Sequence, residues 1–169
     1  MHRRKVKKKL NQYKGPLSPE VAAAGINAAI SNALRLLEDA ERLLGEGRYP
    51  TAASLAILSI EESGKISILR GLALARNEVD LKQWWLYYHS HTRKNVMWIF
   101  PDLVAHGANK LDDFAEIVNE DADHPHMLEH IKQLALYTDC LGKCRWYEPV
   151  LVISKELAQG LVWNARLTA

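Results

Sequence analysis

The stretch Tyr49–Asn77, Y-P-T-A-A-S-L-A-I-L-S-I-E-E-S-G-K-I-S-I-L-R-G-L-A-L-A-R-N, decides the fold. Ala52, Leu55, Ile57, Leu58 and Ile60 precede a charged centre, and Ile66, Ile68, Leu69, Leu72 and Leu74 follow it. At helical spacing these residues fall on nearly every side, so the helix has no broad solvent face and belongs at the centre of a bundle. Glu61, Glu62 and Lys65 interrupt the pattern at its middle. Unpaired charges there would be costly if dry. Glu61 and Lys65 are four apart, acid before base, the favoured order for a pair on one face, and Glu62, three before Lys65, can share it. Two readings stay open: a structural ion pair tying this helix to a neighbour, or charges lining a cleft or subunit interface. A glycine inside a helix costs roughly 1 kcal/mol relative to alanine, so Gly64 favours close approach of another backbone.

Working outward, Ser18-Pro19-Glu20 starts a helix with a capping hydroxyl, a first-turn proline and an acid at the positive end of the dipole. This helix runs to about Leu44, with Val21, Ala24, Ala28, Ile30, Leu34, Leu37 and Leu44 as its expected apolar face, and Gly45-Glu46-Gly47 ends it. The short loop to Tyr49 makes the first two helices antiparallel neighbours. A third helix is expected from Asp80 to Ile99, before Pro101, with Trp84, Tyr88, His91, Lys94 or Asn95, and Trp98 on one stripe. A weaker amphipathic helix is expected over Asp102–Glu120, then a helix over His126–Leu136, an irregular segment from Tyr137, and a last helix from Val150 to about Asn164 behind Pro149. No strand pattern and no repeat is legible. The expectation is one all-α domain of about five to six helices over residues 18–169, behind a basic tail over residues 1–17.

The net charge of +2 hides an asymmetry. Residues 1–14 hold seven Lys or Arg and no acid, leaving 15 basic against 20 acidic residues in the rest, a balance of −5. The tail is either a solvated extension or a contact for nucleic acid, ribosome or anionic lipid. No apolar segment follows the basic start, so a secretory signal is not expected. No apolar run reaches the roughly 20 residues needed to cross a bilayer. Cys140 and Cys144 are expected to be free thiols, and the protein to be cytoplasmic.

Two helices each bring charged or polar residues to a mostly apolar face: Glu61, Glu62 and Lys65 from one, His91 and Lys94 from the other. If they pack together, one chemistry open to them is phosphodiester cleavage without metal, with an imidazole as base, lysines against the phosphoryl oxygens and a carboxylate orienting the base. The same groups can instead form a satisfied polar network that fixes a dimer without any reaction. His126 and His130, four apart and near Asp121, Asp123 and His124, have a weak metal-ligand spacing, against which stands the ordinary reading of surface histidines around a proline turn. No metal or other cofactor is expected. A glycine-rich phosphate loop and a G-x-S-x-G elbow are both absent from the sequence.

The run R-Y-P-T-A-A-S-L-A-I-L-S-I-E-E-S-G-K (Arg48–Lys65), H-T-R-K (His91–Lys94), and L-A-L-Y-T-D followed by W-Y-E-P between Leu134 and Pro149 resemble the AbiV-type abortive infection proteins of the HEPN superfamily. The resemblance covers about residues 20–165. It implies an all-α bundle, commonly a homodimer, that acts in bacterial defence by shutting down translation in infected cells, with a phage-encoded protein as activator. Many HEPN relatives are metal-independent ribonucleases with an arginine followed four to six positions later by a histidine. Here Arg76 and Arg93 have no histidine at that distance, and the nearest arrangement is Lys82 with His89. The positions carried over by the residue match are Glu61, Glu62, Lys65, His91 and Lys94. What the resemblance implies is therefore a ribonuclease with a variant site, or a non-catalytic dimeric module that binds RNA, ribosome or a protein partner.

Overall fold

In the computed structural model, residues 12–119 and 121–169 are described. The first eleven residues of the basic tail lie outside them. Among the described residues five helices have 12 residues or more, and the chain is an all-α bundle with one small hairpin.

Helix α1 (Pro19–Gly45) starts where expected: the Ser18 side chain accepts a hydrogen bond from the Val21 amide, with Pro19 in the first turn. Its buried face is Ala22, Ala29, Ala33, Leu36, Leu37 and Ala40, which corrects the expected one, because Val21, Ala24, Ala28 and Leu34 are exposed. Alanines turn inward because α1 lies close against α2 (Tyr49–Leu74), whose Ala53 and Ala56 are fully buried in one cluster with Leu37 and Ala40. The Ser59 hydroxyl donates across this seam to the Ala33 carbonyl at 2.8 Å.

Helix α2 is the central one. Its first half joins Leu37, Leu128, Leu161 and Val162 in one core cluster, and its second half joins Trp85 in another. Helix α3 (Glu78–His89) is capped by Asn77, whose Oδ1 accepts from the Asp80 amide at 2.9 Å. The single helix expected over Asp80–Ile99 does not form. The chain leaves helical geometry at Ser90 (φ −87, ψ 124), which caps α4 (His91–Lys94) by accepting from the Arg93 amide, and a 3-10 turn over Val96–Ile99 leads into α5 (Phe100–Ala105). Pro101 stands in the first turn of α5, where its missing amide hydrogen costs nothing, so it opens a helix here.

The helix expected over Asp102–Glu120 is also broken. Gly107 has φ 96, and Asp113 accepts from the amides of Asn109 and Lys110, closing a turn before a 3-10 segment (Leu111–Phe114) and α6 (Ala115–Val118). Helix α7 (His124–Leu136) begins two residues earlier than expected, again with a proline in its first turn. Strands β1 (Asp139–Leu141) and β2 (Arg145–Tyr147) pair antiparallel, Cys140 opposite Trp146. They escaped the sequence because three exposed residues in β2 leave no alternation to read. The last helix is split into α8 (Pro149–Val152) and α9 (Lys155–Thr168), the second capped by Ser154. No helix among the described residues is long and apolar enough to cross a membrane.

Candidate functional site

Two glycines of α2 bring the next elements in. A Cβ on Gly71 would stand 2.3 Å from the Trp84 ring, and one on Gly64 would stand 1.9 Å from the Lys94 carbonyl oxygen. The close backbone approach expected at Gly64 is therefore real, and its partner is α4. It delivers His91 and Lys94 to the charged centre of α2.

Glu61, only 3% exposed, is the hub. Its Oε2 lies 2.7 Å from His91 Nδ1, and its Oε1 lies 2.5 Å from the Lys132 Nζ of α7. Lys132 also contacts Glu129 Oε2 at 2.6 Å and stands 3.3 Å from His91 Nδ1. A carboxylate oxygen only accepts, so the short bond to Glu61 puts a proton on Nδ1, and in the neutral ring the lone pair is then on Nε2. The His91 side chain is 54% exposed, while those of Glu61 and Lys132 are 4% and 5% exposed. A buried carboxylate thus holds a half-exposed imidazole in the tautomer of a base.

Burial pushes the Lys132 ammonium towards losing its proton, but its hydrogen bonds to Glu129 and Glu61, with their charges, outweigh this and raise its pKa above the usual lysine value. Lys94 is the opposite case. It is 7% exposed, and no hydrogen bond or ion pair holds its Nζ among the described residues. Burial lowers its pKa; Glu61 and Glu62 partly offset that, and Lys65 and Lys132 add to it.

Glu61, His91 and Lys94 come together as expected, but the Glu61–Lys65 pair does not form. Lys65 Nζ lies 2.5 Å from Glu62 Oε1 and 5.5 Å from the centroid of the Tyr88 ring. The expected stripe is split by the break at Ser90, with Trp84 seated on Gly71 and Trp98 donating its indole hydrogen to the His124 carbonyl at 2.9 Å. His126 and His130 are exposed and share no ligand set among the described residues, and Cys140 and Cys144 are free. Lys132 and Glu129 were missed. Leu128, Lys132 and Ala135 are spaced as one buried stripe of α7, so a lysine on an apolar face, three residues after an acid, was the available signal.

An all-α bundle with paired charges on its central helix fits the HEPN class of helical domains. The chain belongs to the AbiV family of that class: the family model HEPN_AbiV matches residues 21–168. It is a HEPN-domain abortive infection protein. No curated protein and no solved structure matches it.

Proposed function

We propose that this protein stops phage propagation by inhibiting translation in the infected cell, and that it does so as a metal-independent endoribonuclease with a variant HEPN site. The observation that carries the reading is the Glu61–His91 pair, a buried carboxylate fixing an imidazole whose Nε2 is open. In the reaction Nε2 takes the proton of a ribose 2′-hydroxyl. The 2′-oxygen attacks the adjacent phosphorus, the bond to the 5′-oxygen breaks, and that oxygen takes a proton from water. The products are a 2′,3′-cyclic phosphate and a 5′-hydroxyl. Glu61 offsets the imidazolium charge that develops, Lys94 and Lys65 face the phosphoryl oxygens, and Glu62 holds Lys65. RNA, free or in the ribosome, is the substrate, a second copy of the chain completes a homodimer, and a phage-encoded protein is the activator.

A second reading has its own support. Lys132 bridges Glu61 and Glu129 at 2.5 and 2.6 Å, and a charge network of this kind can hold a dimeric module that binds RNA, ribosome or protein without cutting anything. The two separate on amino-acid incorporation in infected cells carrying wild-type protein or His91→Ala, the variant checked for native circular dichroism. The catalytic reading expects incorporation to collapse with wild type and continue with His91→Ala. Collapse with both would eliminate His91 as the base.

A further inference from the structure

We infer that the Lys132 ammonium occupies a latent divalent-cation site made by Glu61, His91 and Glu129, and that this tethered cation keeps metal out of the centre. The inference does not depend on the chemistry proposed for His91. One donor atom from each of the three residues lies within 4.8 Å of the others. Two carboxylates and an imidazole are the donor set that first-row divalent ions such as Zn²⁺ and Mn²⁺ take. Tetrahedral ligands around one ion at about 2.1 Å stand about 3.4 Å apart, so the widest-spaced of these donors need to close by up to about 1.4 Å, within reach of carboxylate side-chain rotation.

The space between them is filled from α7. Lys132 Nζ reaches Glu61 Oε1 at 2.5 Å and Glu129 Oε2 at 2.6 Å and stands 3.3 Å from His91 Nδ1, so the ammonium holds the two carboxylates an ion would use, beside an imidazole nitrogen that an ion would take by displacing its proton. Its side chain is 5% exposed, so the ammonium is held inside the cluster and not in open solvent. Being part of the chain, the ammonium is always present, whereas a free ion must be recruited from solution. Lys132 is therefore a positioning residue: it holds Glu61, which holds His91. Shortening its side chain exposes two carboxylates with no cation between them.

The test adds ZnCl₂ or MnCl₂ to full-length wild type, Lys132→Ala, Lys132→Ser and Lys132→Ala/Glu129→Gln, each purified without metal, and reads stoichiometry by calorimetry and the thermal midpoint. Lys132→Ala and Lys132→Ser are expected to bind one ion per chain. Their Tm should rise by roughly 5–10 °C at about a hundred times Kd. Wild type should show neither change, and the double variant should lose the binding; these controls subtract uptake by the exposed His126 and His130. A variant too unstable to isolate is refolded from urea with and without metal, and folding only with metal counts as uptake. Failure of both single variants to take up metal by either route, or equal binding by wild type, overturns the inference.

Discussion

Gly64→Ala sets two effects of opposite sign against each other. Helix preference alone favours alanine inside a helix by about 1 kcal/mol. Against that, the new Cβ would stand 1.9 Å from the Lys94 carbonyl oxygen, 2.8 Å from its carbonyl carbon and 3.0 Å from its Cα, all backbone atoms that cannot rotate away. An ordinary carbon–oxygen contact is about 3.3 Å, so α4 must retreat from α2 by roughly 1.4 Å. Overpacking costs about 1–3 kcal/mol, with the upper end appropriate where backbone has to move. The net expectation is a loss of about 1–2 kcal/mol, or a fall in Tm of roughly 2–8 °C for a domain of this size. The 2.7 Å bond between His91 and Glu61 cannot survive such a retreat, so the translation inhibition proposed for the protein should fall with it. Gly160→Ala is the control: it sits exposed in α9 with nothing within 4 Å of an added Cβ, and should gain about 1 kcal/mol. Urea midpoints followed by circular dichroism measure both. If Gly64→Ala gains stability as Gly160→Ala does, α4 does not pack there and the site as described is wrong.

Two further substitutions use the charges themselves. Lys94→Met should stabilise the protein by about 1–2 kcal/mol at neutral pH, because an apolar chain replaces a buried amine without an ion-pair partner among the described residues. Burial depresses the Lys94 pKa, so between the folded value and 10.5 the unfolded chain binds its proton more tightly; wild-type stability from this group rises with pH there, and Lys94→Met should remove that slope in urea midpoints. For Glu129, burial pushes the pKa up, but the hydrogen bonds from Lys132 and Gln133 and the charges of Lys132 and His91 prevail and lower it. Its contribution is present above 4.5 and lost as pH falls through the folded value, so Glu129→Gln should cost about 1–3 kcal/mol at pH 7 and almost nothing in strong acid, read from an acid titration of the urea midpoint.

The central helix and its backbone contact were legible in the sequence because they are written locally: an apolar pattern on all sides, charges at its middle and a glycine beside them. Helix starts at Ser18 and Tyr49 were legible for the same reason. What could not be read depends on partners far along the chain. Lys132 meets Glu61 across 71 residues, and nothing near Glu61 names that partner. The break at Ser90 is set by a serine cap, with no glycine or proline to announce it. The face of α1 was placed out of register because its apolar residues lie all round the helix: Ala24, Ala28 and Leu34 turn outward, whereas close packing on α2 selects Ala29, Ala33 and Ala40. Of the two pairings that spacing offered Lys65, the one with Glu62, three residues before it, forms and the one with Glu61 does not, because Glu61 is taken by His91 and Lys132.

The most direct measurement is incubation of purified protein with total bacterial RNA in EDTA, in extract from phage-infected cells, with end-group analysis of the fragments and a natively folded His91→Ala control. The account predicts fragments bearing 2′,3′-cyclic phosphate and 5′-hydroxyl ends that vanish with His91→Ala. Intact RNA, or the same fragments from His91→Ala, would contradict it.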